Sequence, residues 1–262
     1  MKLYVVLHIL ALALSTFAFT PYTVERCVWD AIRVQSAIRS ARTALILPKA
    51  DTVLGTTSAT FAAMFKSFTS IIKVQTLFEN ILNQAPLSAG RNIRFFCATS
   101  YMSAREKDSL GYDPWAICTE QRVTSFWRKD NLIWVCPSFM SLPPQPALGP
   151  QVKVDKECPI VFDNRFYGKI NDFINYQCYD IVRQLVYVYL QDQALDATTI
   201  PRGELDWNAC IRSRIVDPNG AVSLRDPMNY VYYAACMSLS VLCDFSSADS
   251  GFSGQCKMFR CS

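Results

Sequence analysis

Any chemistry this chain does after maturation must be done without histidine. The single His among 262 residues is His8, which sits in an N-terminal stretch that reads as a leader. The mature chain is therefore expected to have no Ser-His-Asp or Cys-His catalysis and no imidazole metal site. Carboxylates, Lys, Tyr and Cys remain for proton transfer. Asp249-Ser250-Gly251 is half of an aspartic-protease pair, but no second Asp-Thr-Gly or Asp-Ser-Gly follows to share the proton, so it reads as a tail turn. No phosphate loop or dinucleotide fingerprint occurs, and the nine glycines are too scattered to build one. Nothing singles out a pair of carboxylates for glycoside hydrolysis. No Asn-x-Ser/Thr acceptor for N-glycosylation is present.

Cysteine is the abundant reactive residue. All eleven, from Cys27 to Cys261, follow the leader. That leader has Lys2, an apolar run from Leu3 to Leu14 and then Ser15-Thr16-Phe17-Ala18, the pattern of a secretory signal peptide. Cleavage after Ala18 puts Thr16 and Ala18 at the small-residue positions, and cleavage after Thr20 is the alternative. A secreted, extracellular chain is expected, with disulfides as the default state of its cysteines. An odd count leaves one thiol free, intermolecular or capped. The local pairs expected first are Cys97 with Cys118, Cys136 with Cys158, and Cys256 with the C-terminal region. A cysteine zinc site is the competing reading, and it lacks any CxxC pair.

These residues need a scaffold. At 51% apolar and 18% charged, the chain reads as a 1–18 signal peptide followed by one domain over 19–262. Losing Lys2 takes the net charge from +4 to +3, too small and too dispersed for nucleic acid. Arg33, Arg39 and Arg42 share part of a helix face that reads as solvated. No later run reaches about 18 apolar residues, so no transmembrane segment is expected.

The N-terminal part, about 24–86, has helical periods: Val28 to Leu45, stopping at Pro48, then Ser58 to Asn83 with a stripe of Phe61, Met64, Phe65, Phe68, Ile71, Ile72, Phe78, Ile81 and Leu82. The stripe is read as core rather than as a membrane-surface face, since the polar side carries only Lys66, Lys73 and Glu79 as charges. Over about 91–160 the pattern changes to short strands, Ile93–Ala98 and Leu132–Cys136, around turns such as Gly111-Tyr112-Asp113-Pro114. Trp115, Phe126, Trp127 and Trp134 crowd this region and read as packing rather than a carbohydrate platform. A prolyl loop covers 141–150. A buried helix is expected over about 171–191, and a C-terminal helix with a cysteine-rich tail over about 227–262, starting at Asp226-Pro227.

One succession of motifs has a wider meaning. Cys136-Pro137-Ser138-Phe139 and Cys158-Pro159 are followed by Arg183-Gln184-Leu185-Val186-Tyr187-Val188-Tyr189-Leu190 and Asn229-Tyr230-Val231-Tyr232-Tyr233-Ala234. From roughly Asn131 to Cys243 it resembles the secreted fungal aspzincin-type metalloendopeptidases, the deuterolysin and lysine-specific group. The resemblance implies an α+β, mainly helical zincin-like domain with a small sheet and disulfide staples. In that family the long helix carries HExxH, and an Asp beyond it is the third zinc ligand.

Carried over residue by residue, the helix positions are Arg183, Gln184 and Tyr187, and the third-ligand position is Asp206, with Asp196 the alternative. The motif is dismantled at all three helix points. Arg183 has no lone pair to donate and repels a cation, Gln184 cannot act as a general base, and Tyr187 is at best a weak phenol ligand. A shifted register places Val182 and Val186 at the ligand positions. The resemblance then implies that an Arg183–Asp206 bridge replaces the zinc cross-link, and that the chain is a monomeric pseudopeptidase with no cofactor, binding a protein or peptide as an effector-type domain. Two alternatives stay open: an active zinc metallopeptidase using Asp206, Asp196, Glu204 and a free cysteine, and a cysteine-stabilised structural or cell-wall protein.

Overall fold

The computed structural model describes residues 22–28, 30–65, 67–87, 90–128, 131–144, 175–191 and 221–240. In chain order these form β1 (Thr23–Glu25), α1 (Ala31–Ala44), α2 (Ile46–Asp51), a 3-10 turn (Gly55–Thr57), α3 (Ala59–Met64) and α4 (Ser70–Leu82). Then follow β2 (Arg94–Cys97), α5 (Ala104–Leu110), α6 (Pro114–Glu120), β3 (Ser125–Trp127), β4 (Leu132–Val135) and a 3-10 turn at Pro137–Ser141. Beyond them lie α7 (Gln177–Leu190), α8 (Ala221–Arg225) and α9 (Pro227–Ser240). The fold is mixed α and β, mainly helical around one small sheet.

The sheet runs β1-β2-β4-β3. β1, β2 and β4 are parallel, and β3 pairs antiparallel with β4 at an edge. Parallel neighbours need crossovers, which place helices on the faces. Alternation along the strands explains how two faces are filled. Phe95, Ile133 and Val135 point to the main core beside α1, α4, α7 and α9, with Trp127 packed against it. Phe96, Trp134 and Cys136 point to a second, smaller core with Cys118, against which Phe126 and Leu132 pack.

This topology decides the disulfides, and it corrects the pairings expected from local spacing. Cys97 joins Cys27, and Cys118 joins Cys136. The parallel register Glu25↔Phe96 brings the ends of β1 and β2 together, so Cys27 and Cys97 approach to 5.0 Å between Cα atoms. Cys136, just past β4, faces the small core next to Cys118 of α6, which excludes the Cys136–Cys158 pair. Cys236 is also disulfide-bonded. Cys158, Cys210, Cys243, Cys256 and Cys261, like the leader, lie outside the described residues.

Two helix readings change as well. Pro48 does not stop the first helical region; it sits in the first turn of α2, where its missing N–H costs nothing. The expected long helix over 58–83 is α3 and α4 with a break between them. At the break Ser67 Oγ accepts from Thr69 N at 3.3 Å and meets Thr69 Oγ1 at 2.7 Å. This local hydroxyl turn competes with helical bonding. The apolar phase is reset across it: Phe61, Met64, Phe65, Phe78 and Ile81 are buried, whereas Phe68 and Ile72, expected in the core, face solvent. Gly111-Tyr112-Asp113-Pro114 joins two helices rather than two strands. Gly111 ends α5 in the left-handed region at φ 72°, and the Asp113 side chain caps α6 at Trp115 N and Ala116 N.

α9 is buried from Met228 to Met237. Its Tyr230 and Tyr233 enter an aromatic cluster with Phe61, Phe65 and Phe78, and Phe78 stacks on Tyr233 at 5.9 Å. Among the described residues no helix is long and apolar enough to cross a membrane.

Candidate functional site

The positions singled out by the sequence lie on α7, which packs against the edge strand β3. The helix start is pinned by Gln177: its N–H donates to Pro143 O at 2.8 Å, and its side-chain amide donates to Phe139 O at 3.1 Å and Leu142 O at 3.0 Å. From there Asp180, Arg183, Gln184 and Tyr187 recur at helical steps and form one stripe. It meets β3 at Ser125 and Trp127 and carries one ion pair within the helix.

Each member of the stripe is engaged. Asp180, 3% exposed, accepts at Oδ2 from Ser125 Oγ of β3 at 2.6 Å. Its Oδ1 is bonded to Arg183 Nη2 in an ion pair one turn along the helix. Arg183 Nε is buried with no hydrogen-bond partner among the described residues. Gln184, also 3% exposed, donates from Nε2 to Ser125 O at 3.2 Å. Tyr187 stacks on Trp127 with ring centroids 6.5 Å apart and 19° between planes.

Gln184 has a particular effect on the sheet edge. Cys136 N donates to Thr124 O at 2.9 Å, and Ser125 is registered opposite Val135. In an antiparallel ladder, bonded and non-bonded pairs alternate, so the Ser125 carbonyl points away from β4. An incoming strand would use that carbonyl. The Gln184 amide already occupies it.

The residues do not fit zinc. A guanidinium offers no lone pair, and an amide that donates to a carbonyl is no general base. Cys178, the free thiol among the described residues, is buried. Burial pushes its thiol up to about 12, which keeps it protonated and unsuited to metal or nucleophilic duty. Asp206 and Asp196, the expected third-ligand positions, lie outside the described residues, as does Glu204. The carboxylate that meets Arg183 is Asp180, one turn earlier on the same helix, in place of the expected Asp206. In sequence, Asp180 looks like an ordinary first-turn acid; only the approach of Ser125, 55 positions away, gives it a partner.

A second buried polar group ties α2 to α9. Asp51 Oδ2 accepts from Ser58 Oγ and from Tyr233 Oη, each at 2.6 Å, and Tyr233 Oη also lies 3.2 Å from Pro48 O. Burial first, and the Asp51 carboxylate second, raise the Tyr233 hydroxyl far above its ordinary value. It stays a donor at any physiological pH. All three side chains are buried, so this is a clamp within the core.

Compared with known proteins, the chain matches no family model and no curated sequence.

Proposed function

We propose that this chain is a secreted, metal-free domain of metallopeptidase-like descent that acts by binding a protein or peptide and does not cleave it. The observation that carries the reading is the use made of Arg183, Gln184 and Tyr187. Where the resemblance places two zinc-binding imidazoles and a general base, these side chains join helix to strand through Asp180, the Ser125 carbonyl and Trp127. A small sheet in a mainly helical fold, with an edge strand beside that helix, agrees with what the resemblance implies. Disulfides at Cys27–Cys97 and Cys118–Cys136 fit an oxidising compartment and so support secretion.

Because Gln184 fills the outward carbonyl of Ser125, recognition in this account relies on side chains rather than on strand addition at that residue. The test is incubation of the purified mature chain with a mixed peptide library, with and without added zinc, read by mass spectrometry. No new termini are expected, while immobilised protein should retain a defined partner. Chelator-sensitive cleavage at defined bonds would overturn the reading in favour of an active metallopeptidase.

A further inference from the structure

The break between α3 and α4 leaves a surface that the function above does not use. α4 turns Val74, Leu77, Phe78 and Ile81 inward, while Phe68 and Ile72, one helical step apart and just before and within its first turn, are 76% and 73% exposed. Beside them is the 3-10 turn at Gly55–Thr57. A Cβ on Gly55 would collide with Ile71 Cδ1, and Gly55 itself has φ +54. Gly55 thus lets the turn close directly onto α4. Val53 and Leu54, immediately before it, are 75% and 52% exposed. Four large apolar side chains therefore flank one contact, a grouping that a surface in water alone does not favour.

The segment that carries this patch has charge of one sign. From Thr52 to Phe78 the chain has no Asp or Glu, and its only charged residues are Lys66 and Lys73. The two acids that bound the stretch are both engaged: Asp51 is buried and accepts from Ser58 and Tyr233, and Glu79 pairs with Lys49 at 3.0 Å. The exposed polar neighbours are Thr56, Thr57 and Thr69, with Lys73 next to Ile72. Exposed apolar side chains, neighbouring hydroxyls and a lysine, on a segment with no acid between Asp51 and Glu79, together match the interface of an anionic bilayer. There apolar groups enter the acyl boundary and lysines meet headgroup phosphates.

The geometry points to a peripheral membrane-docking surface formed by Val53, Leu54, Phe68 and Ile72 with Lys73, whose ligand is an anionic lipid surface. This does not rest on the loss of peptidase chemistry, since the patch shares no residue with the α7 stripe. The depth implied is shallow, a few side chains from a turn and the start of one helix.

The test is co-sedimentation of the full mature chain with phosphatidylcholine vesicles containing about 30% phosphatidylserine, compared with pure phosphatidylcholine. Wild-type protein should sediment with the anionic vesicles, less with neutral ones, and be released as salt rises to about 0.5 M. Phe68→Ser/Ile72→Ser should lower the partition coefficient at least about tenfold, and Lys73→Glu should weaken binding to the anionic vesicles alone. These side chains are exposed, so circular dichroism should show unchanged folding. Wild-type protein left in the supernatant, or a double variant that sediments like wild type, would overturn the proposal. So would a wild-type dimer that the double variant converts to monomer without any vesicle binding, since the patch would then be a self-association face.

Discussion

Arg183 and Asp180 are the residues on which the reading of α7 turns. A nearly buried carboxylate is matched here by a guanidinium and a hydroxyl, and removing the guanidinium leaves it without its ion-pair partner. Arg183→Ala should therefore destabilise the fold by about 2–4 kcal/mol, the range for breaking a mostly buried pair that retains some solvent. Replacing both partners, Asp180→Leu with Arg183→Met, should recover most of that loss, because neither charge then needs solvating. Urea midpoints at constant slope measure both. A double variant no more stable than Arg183→Ala would show that the stripe depends on the specific bonds to Ser125 rather than on charge compensation.

At the scale of elements, spacing along α7 carries its own prediction. Residues 183 and 187 are i and i+4, on one helix face. Arg183→His with Tyr187→His would place two imidazoles at i and i+4, with the Asp180 carboxylate one turn before residue 183 as a third ligand, and this variant should take up more zinc than the parent. Absence of uptake would mean that the two positions and Asp180 do not converge on one open face. How far sequence could see these elements follows from periodicity. α7 and α9 were legible because each runs for 14 residues, enough for several turns of apolar recurrence. β2 and β4 were legible as short apolar runs. β1 and β3, with three residues each, have no period to read; sheet pairing alone makes them strands. The disulfides were illegible for the same reason, since Cys27 and Cys97 meet only once β1 lies beside β2. Phe68 and Ile72 were misassigned because the hydroxyl turn at Ser67–Thr69 resets the helical phase, and that competition between side chain and backbone leaves no mark on an apolar stripe.

For the whole molecule, the core contains many hydroxyls that must stay protonated. Burial pushes Tyr189 up to about 12 and also raises Tyr22, Tyr230 and Tyr233 well above their ordinary range. In the unfolded chain each ionises near 10. Their contribution to stability is complete below about pH 10 and is lost as pH rises toward the folded values, by about 1.4 kcal/mol per pH unit for each tyrosine. Stability should therefore fall steeply above about pH 10, and the tyrosinate absorbance of these four residues should appear in one step together with loss of near-ultraviolet dichroism. Gradual ionisation of these tyrosines in a still-folded protein would show that the hydroxyls are not sealed in the core.

On the proposed function, α7 is a helix–strand joint and holds no metal. The most direct test is the zinc content of the purified mature protein, measured by elemental mass spectrometry after dialysis into metal-free buffer. Less than about a tenth of an equivalent per chain is predicted, because the side chains at positions 183, 184 and 187 are engaged by Asp180, the Ser125 carbonyl and Trp127. Close to one equivalent, retained through dialysis, would contradict the account and assign a metal site to carboxylate or thiolate ligands elsewhere in the chain.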